Sequence, residues 1–365
     1  MFSTYLLGAA AIMTAYVFWR MDGLPFLGSL TCRTRMVLGL GAWLFIMVAR
    51  YVGRANFGQW SIILESVGLS LLIVLFLAAA LLAVVDAATF FGRFLPAAAP
   101  RLRRAAFALA LVLSGAALVQ GMRAPIITEY EVALPGLPDE LDGITVAAVS
   151  DLHAGTQLGP DWLKARADQI MTLKPDMILL LGDIVEGHSR QLNALLPALS
   201  TLRAPLGVYA VPGNHENHGF PEKALRLFHD AGFTVLVNRW DSPAPGLVVA
   251  GVEDLSTHQG SQATNDPVAE ALADRPAGAT ILLSHTPLRY EEAASLGTGL
   301  MLAGHTHGGQ IWPFNYVVRL SYPLVEGRFE IGPMTFIVTR GAGVWGARMR
   351  LWHPGELLKI TLRAD

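Results

Sequence analysis

Leu302-Ala303-Gly304-His305-Thr306-His307-Gly308-Gly309-Gln310 is the stretch on which the fold of this chain turns. Two imidazoles two residues apart are bracketed by glycines and preceded by the apolar run Leu300-Met301-Leu302. That pattern reads as a strand running into a loop whose backbone can approach a ligand closely. Such a loop suits a metal, although histidines in glycine-rich loops are also ordinary turn residues. Four further stretches of the same kind decide between the two. Ile144 to Val149 leads into Ser150-Asp151-Leu152-His153, and Met177 to Leu181 into Gly182-Asp183-Ile184-Val185-Glu186. Val208 to Val211 leads into Pro212-Gly213-Asn214-His215-Glu216, and Ile281 to Leu283 into Ser284-His285-Thr286-Pro287. Helices are expected over Asp161 to Leu173, Pro221 to Ala231 and Pro287 to Ser295, with another strand over Leu247 to Val252. Short apolar strands alternating with helices argue for an α/β domain whose largely parallel or mixed sheet is covered on both faces. Ligands in such domains bind at the carboxyl ends of the strands, where all five polar clusters fall.

The pooled donors are nitrogen and oxygen without thiolate, which suits zinc, manganese, iron or nickel. The only cysteine, Cys32, lies far from them in sequence, so an internal disulfide and a cysteine-based zinc site are both excluded. Seven candidate ligands exceed what one tetrahedral ion takes, and two ions sharing a bridging carboxylate fit the count. Ions roughly 3.5–4 Å apart can clamp a phosphate, acidify a bridging water to hydroxide and stabilise charge on the phosphoryl oxygens during in-line displacement. No Gly-x-Gly-x-x-Gly or Walker pattern occurs, so the glycines serve backbone geometry.

Asp-x-His, Gly-Asp, Gly-Asn-His-Glu, Ser-His-Thr-Pro and Gly-His-Thr-His-Gly-Gly-Gln, in this order and approximate spacing, resemble the calcineurin-like metallophosphoesterases. The continuation Ile311-Trp312-Pro313-Phe314, with Arg340-Gly341-Ala342-Gly343 and Glu356, resembles their membrane-associated bacterial phosphodiesterase branch. The resemblance runs from about Gly136 to the C-terminus and implies a sandwich of mixed β-sheets flanked by helices. It implies that Asp151, His153 and His307 bind one metal and that Asn214, His285 and His305 bind a second, with Asp183 bridging. His215 would contact the phosphate and protonate the leaving alkoxide, a role suited to an imidazole titrating near neutrality. In many relatives an aspartate three residues after the bridging one orients this histidine. Here that position is Glu186, one methylene longer, and its reach to His215 is the open point. For His188, His218, His229, His258 and His353 the expectation is an ordinary setting outside the metal site.

The N-terminal third has a different texture. The first 124 residues hold ten arginines against Asp22, Glu65 and Asp86, whereas the whole chain carries −2. Four apolar runs, about Phe2 to Trp19, Met36 to Val52, Ile62 to Val85 and Ala105 to Met122, are long enough for a hydrocarbon layer that takes roughly 20 helical residues. Residues 1–124 are therefore expected to form an all-α transmembrane domain and 125–365 the metallophosphoesterase domain. Arg50, near the end of the second run, is expected to snorkel, and Glu65 to reach the headgroups. Arg20, Arg33, Arg35, Arg93, Arg101, Arg103 and Arg104 fall in the first and third loops, against Arg50, Arg54 and Arg123 on the other side. That bias puts the first and third loops in the cytoplasm and the catalytic domain on the extracytoplasmic side of a bacterial inner membrane.

The combined expectation is a membrane-anchored enzyme with two divalent ions (Mn, Zn or Fe). It would hydrolyse a phosphodiester or pyrophosphate bond by metal-bridging hydroxide. A bilayer neighbour makes a lipid-linked or envelope substrate the natural candidate, and no nucleic-acid partner is expected. The alternatives are a UDP-diacylglucosamine pyrophosphatase of lipid A synthesis, whose substrate is cytoplasmic, and a non-catalytic membrane scaffold with a degenerate site.

Overall fold

A computed structural model describes residues 2–24, 28–55, 58–155, 157–186, 192–217, 221–258 and 266–365. The chain divides into two compact units, Met1–Met122 with Gly346–Leu351, and Arg123–Trp345 with Trp352–Asp365.

The first unit is built from α1 (Phe2–Trp19), α2 (Cys32–Ala55), α3 (Gln59–Ala88) and α4 (Ala99–Met122). Among the described residues, Cys32–Gly53, Gln59–Ala88 and Ala99–Met122 are each long and apolar enough to cross a bilayer. The helices α2, α3 and α4 outrun the apolar runs of the sequence because polar ends such as Arg33 and Arg35 continue the helical turn beyond the hydrocarbon stretch. Two carboxylates are buried here. Contrary to the expectation that Glu65 reaches the headgroups, it is buried, and Arg50 Nη1 donates to its Oε1 at 2.9 Å. A charge in an apolar helix bundle is stabilised most by a partner on the neighbouring helix, and Arg50 on α2 supplies one for Glu65 on α3. Asp86 accepts from the Tyr16 hydroxyl at 2.8 Å and from Arg103 at 3.0 Å, and pairs with Arg20 at 2.7 Å, so it ties α1, α3 and α4 together.

Two six-stranded sheets form the second unit. The first has the order β1 (Ile126–Ala133), β12 (Glu356–Arg363), β2 (Thr145–Val149), β3 (Met177–Leu180), β4 (Val208–Ala210), β5 (Thr234–Val235). The second runs β10 (Gly327–Ile331), β11 (Met334–Val338), β9 (Leu300–Ala303), β8 (Ala279–Leu283), β7 (Leu247–Gly251), β6 (Arg239–Ala244). The central strands β2–β3–β4 and β7–β8–β9 pair in parallel, and antiparallel partners stand at β12, β10 and β6.

Alternation along the strands makes the layers. Val146, Ala148, Leu179 and Leu181 meet Val249, Ile281, Leu283 and Leu302 in a core between the sheets. The intervening Ala147, Val149, Ile178 and Leu180 face the opposite way, onto Leu163, Ile170, Leu227 and Phe228 of the helices Pro160–Met171 and Pro221–Asp230. On the outer face of the second sheet, Ala250, Leu282, Met301 and Phe336 pack with Val268, Leu272 and Ala293. Strands covered on both faces are apolar at nearly every position, which is why they read as almost continuous runs. The expected strands at 144–149, 177–181, 206–211, 247–252, 280–283 and 300–303 correspond to β2, β3, β4, β7, β8 and β9. The edge strands are less apolar and carried no such signal.

Candidate metal centre

The five polar clusters follow β2, β3 and β4 of one sheet and β8 and β9 of the other, and the structure brings them together. Asp151 Oδ1 lies 3.2 Å from His307 Nε2, and His153 Nε2 lies 3.1 Å from the same nitrogen. Asp183 Oδ2 lies 3.2 Å from His285 Nε2 and 3.8 Å from His153 Nε2. His285 Nε2 is also 3.1 Å from Asn214 Oδ1 and 3.1 Å from His305 Nδ1. Among the described residues three clusters could hold an ion, and His153–Glu186–His215 flanks the two ligand groups Asp151–His153–His307 and Asp183–His285–His305. Asp183 stands between them and Asn214 joins the second.

The donor atoms fit cations. Asp151 Oδ1 is buried and accepts no hydrogen bond, an expense a protein rarely carries without an ion or proton to meet it. Glu186 Oε1 lies 2.9 Å from His153 Nδ1, and the Leu181 carbonyl lies 2.9 Å from His285 Nδ1. Each of those oxygens accepts an Nδ1–H, so the Nε2 lone pairs are turned inward, toward carboxylate oxygens and one another. Acceptor facing acceptor is repulsive until a proton or a metal ion lies between. The backbone is committed to the same end. Asp151, His153, Asp183, His305 and His307 all have positive φ, from 47° to 71°. Left-handed backbone at non-glycine residues costs on the order of 1 kcal/mol or more each and concentrates at functional sites. Gly213 and Gly304 make the close approach possible, because a Cβ at either would collide with Asp183 Oδ1 or with Ser150 Oγ.

Glu186 settles the open point of reach. Its Oε2 lies 2.9 Å from His215 Nδ1 while Oε1 holds His153, so one carboxylate orients a metal-facing imidazole and the flanking one. Burial would raise the Glu186 pKa, but hydrogen bonds from both histidines hold it well below the usual carboxylate range. Burial alone would lower the His215 pKa; Asp183 and Glu186 instead push it up to about 9. His285 is pushed up to about 10, with Asp183 outweighing desolvation. His305 goes the other way, to about 4, through burial and the neighbouring His285 charge.

Without a metal, His215 and His285 are protonated at pH 7, and an ion held by His285 must displace its proton. Loading at pH 7 is expected to release at least one proton per chain, and apparent affinity to rise about tenfold per pH unit for each proton released. Calorimetric titration of Mn or Zn in buffers of different ionisation enthalpy measures that number; a buffer-independent heat would contradict it.

Three supports carried no assigned role in the sequence. Glu216, fully buried, accepts from the backbone N–H groups of Asp183, Val185 and Gly213 at 2.8–2.9 Å and so locks the loops after β3 and β4 together. Desolvation raises its pKa to about 7. Glu216→Ala leaves three buried donors unpaired, at about 1 kcal/mol or more each. The expected loss is roughly 3 kcal/mol, or about 6–12 °C in the melting temperature of a domain this size; an unchanged melting curve would count against it. Tyr322 places its hydroxyl 3.0 Å from His305 Nε2, leaving Nδ1 for the centre. Arg340-Gly341-Ala342-Gly343 backs the Asp151 loop, with Ala342 and Gly343 N–H groups donating to the Ser150 and Asp151 carbonyls. Glu356 accepts from the Arg340 backbone and side chain behind it. The Gly-Asn-His-Glu motif marked Glu216, but no local pattern marks Tyr322.

Of the remaining histidines, His229 is exposed on the helix Pro221–Asp230, and His353 pairs through Nδ1 with Glu326 at 3.0 Å. His188, His218 and the His258 side chain lie outside the described residues.

A family model described as calcineurin-like phosphoesterase matches residues 144–309. The uncharacterized metallophosphoesterase Cj0846 of Campylobacter jejuni is 28% identical over 260 residues, 70% of this chain and 68% of its own. An uncharacterized metallophosphoesterase of Aquifex aeolicus is 31% identical over 240 residues, 65% of this chain and 91% of its own. A cattle protein named transmembrane protein with metallophosphoesterase domain is 29% identical over 273 residues. That match covers 69% of this chain but only 60% of the cattle protein, so the chain spans less than two thirds of that relative.

Proposed function

The chain belongs to the calcineurin-like phosphoesterase family, and on that footing we propose that it is a membrane-anchored phosphoesterase. It would hydrolyse a phosphodiester or pyrophosphate bond at a centre of two divalent ions. The observation that carries the reading is the pair of ligand groups with Asp183 Oδ2 3.2 Å from His285 Nε2 and 3.8 Å from His153 Nε2, and His215 beside them. In this reading Asp151, His153 and His307 hold one ion, Asn214, His285 and His305 the other, and Asp183 bridges. When bound, the ions supply Lewis-acid polarisation of the phosphoryl group and acidify water.

The chain's own groups do the rest. The His215 backbone N–H donates to Asp183 Oδ1 at 2.8 Å, which leaves Oδ2 facing both ligand groups. Glu186 accepts the His215 Nδ1 proton, so Nε2, 4.0 Å from Asp183 Oδ2, points where a leaving oxygen would sit and can donate a proton to it. The helices long enough to span a membrane favour a lipid-linked or envelope ester, because tethering raises the local concentration of a substrate held in the same bilayer. Hydrolysis of bis-p-nitrophenyl phosphate, p-nitrophenyl phosphate and phospholipids, assayed with Mn, Zn, Fe and Ni, tests the reading. No turnover with any metal would end it.

Positive charge in the first and third loops favours an extracytoplasmic catalytic domain. An alkaline phosphatase fused after Asp365 is then expected to be active and a green fluorescent protein at the same position dark. The opposite pattern would place the domain in the cytoplasm.

A further inference from the structure

The metallophosphoesterase unit carries a cluster of exposed apolar side chains just beyond its last metal-binding motif. Leu320 is 85% exposed, Tyr316 59%, Trp352 56%, Val317 50% and Trp345 37%. Exposed large apolar residues scattered singly need no explanation, and Val237 and Leu296 on the same unit are of that kind. These five are linked through one segment: Tyr316, Val317 and Leu320 lie on and just after the helix Phe314–Val318, which directly follows residues that contact Trp345 and Trp352. Trp312 and Trp352 meet edge to face at 4.8 Å, and Ile311 and Trp352 pair as an isolated β-bridge. The Gln310 side chain donates to the Trp345 carbonyl and accepts from the Trp345 N–H, both at 2.9 Å. The segment after Gln310 is thereby pinned beside Trp345 and Trp352.

We propose that this rim enters the boundary layer of a lipid bilayer, where it draws phosphate-ester headgroups toward the metal centre. Three observations favour lipid over a protein partner. The chain's own long apolar helices make a bilayer a phase that is always at hand. The rim combines Trp, Tyr and branched aliphatics with the exposed Arg319, the composition that settles where hydrocarbon meets headgroups. It is also joined to the site along the chain: Tyr322, two residues after Leu320, reaches His305 Nε2 with its hydroxyl at 3.0 Å, so the segment that carries the rim also touches a ligand imidazole. The family match ends at residue 309, so this rim is a feature beyond it. The inference rests on the phosphoesterase reading only for the purpose of the docking, not for the docking itself.

Cys32 is the sole cysteine, so a Cys32→Ser background gives single labelling sites. Full-length Leu320→Cys and, as a control on exposed β10, Glu330→Cys are labelled with an environment-sensitive fluorophore and placed in phosphatidylethanolamine–phosphatidylglycerol nanodiscs. Doxyl-labelled lipids are expected to quench the label at 320 about threefold or more over that at 330, with aqueous iodide showing the reverse order. Equal iodide quenching at both positions with no lipid quenching at 320 overturns the inference. So does an emission at 320 that ignores doxyl lipid but shifts with the number of chains per disc, which would assign the rim to a second copy. The readout does not use turnover. Lipid quenching without hydrolysis under any metal would leave the rim standing and remove the enzyme reading, and hydrolysis without lipid quenching would do the opposite.

Discussion

Asp183→Ala is expected to lower hydrolysis of bis-p-nitrophenyl phosphate by at least about 10³-fold with every metal. Losing a single electrostatic contact to the transition state commonly costs 10²–10³-fold, and this carboxylate faces both ligand groups. It is 2% exposed, with Oδ2 3.2 Å from His285 and 3.8 Å from His153. Metal content measured by mass spectrometry should fall alongside activity. Asp183→Asn separates chemistry from folding, because its carbonyl can still accept the His215 N–H while the charge is gone. Turnover of Asp183→Ala within tenfold of the parent would sink the bridging role.

His215→Gln should act through the leaving group. An ester that expels an alkoxide needs a proton at the departing oxygen, and losing the donor is expected to cost about 10²–10⁴-fold. An ester that expels p-nitrophenolate, a stable anion, needs little such help and should lose less than about tenfold. The ratio of the two losses is the diagnostic, since a merely structural defect would depress both equally. Glu186→Gln should shift the same ratio less far while also weakening metal binding by about 10–100-fold, because Glu186 orients His153 as well as His215. Equal losses on both esters in His215→Gln would remove the proton-donor role.

Much of the sandwich was legible because its central strands are buried on both faces. β2, β3, β8 and β9 are continuous apolar runs that no solvent-facing element would tolerate, and each runs into a residue that a buried strand end can aim. β1, β6 and β10 have exposed positions and mixed composition, and they were not read from the sequence. Glu65 departs from the expectation for a related reason. One-dimensional hydropathy sees a carboxylate near the end of an apolar run, but its partner Arg50 is fifteen residues away on the neighbouring helix.

By itself, the sequence determined which residues could bind metal, that their donors are nitrogen and oxygen, and that an apolar helical segment precedes them. Those properties live in residue types and short spacings, which survive without coordinates. The assignment of His305 and His307 to different ions came with the resemblance; the tertiary structure places the two, each with left-handed backbone, in different ligand groups. Only the tertiary structure decided that Glu186 serves two histidines, that Glu216 ties two loops, and that Tyr322 stands behind His305. Each of these depends on side chains from different strands or loops meeting within hydrogen-bond distance, which strand pairing and sheet packing establish and linear spacing does not encode.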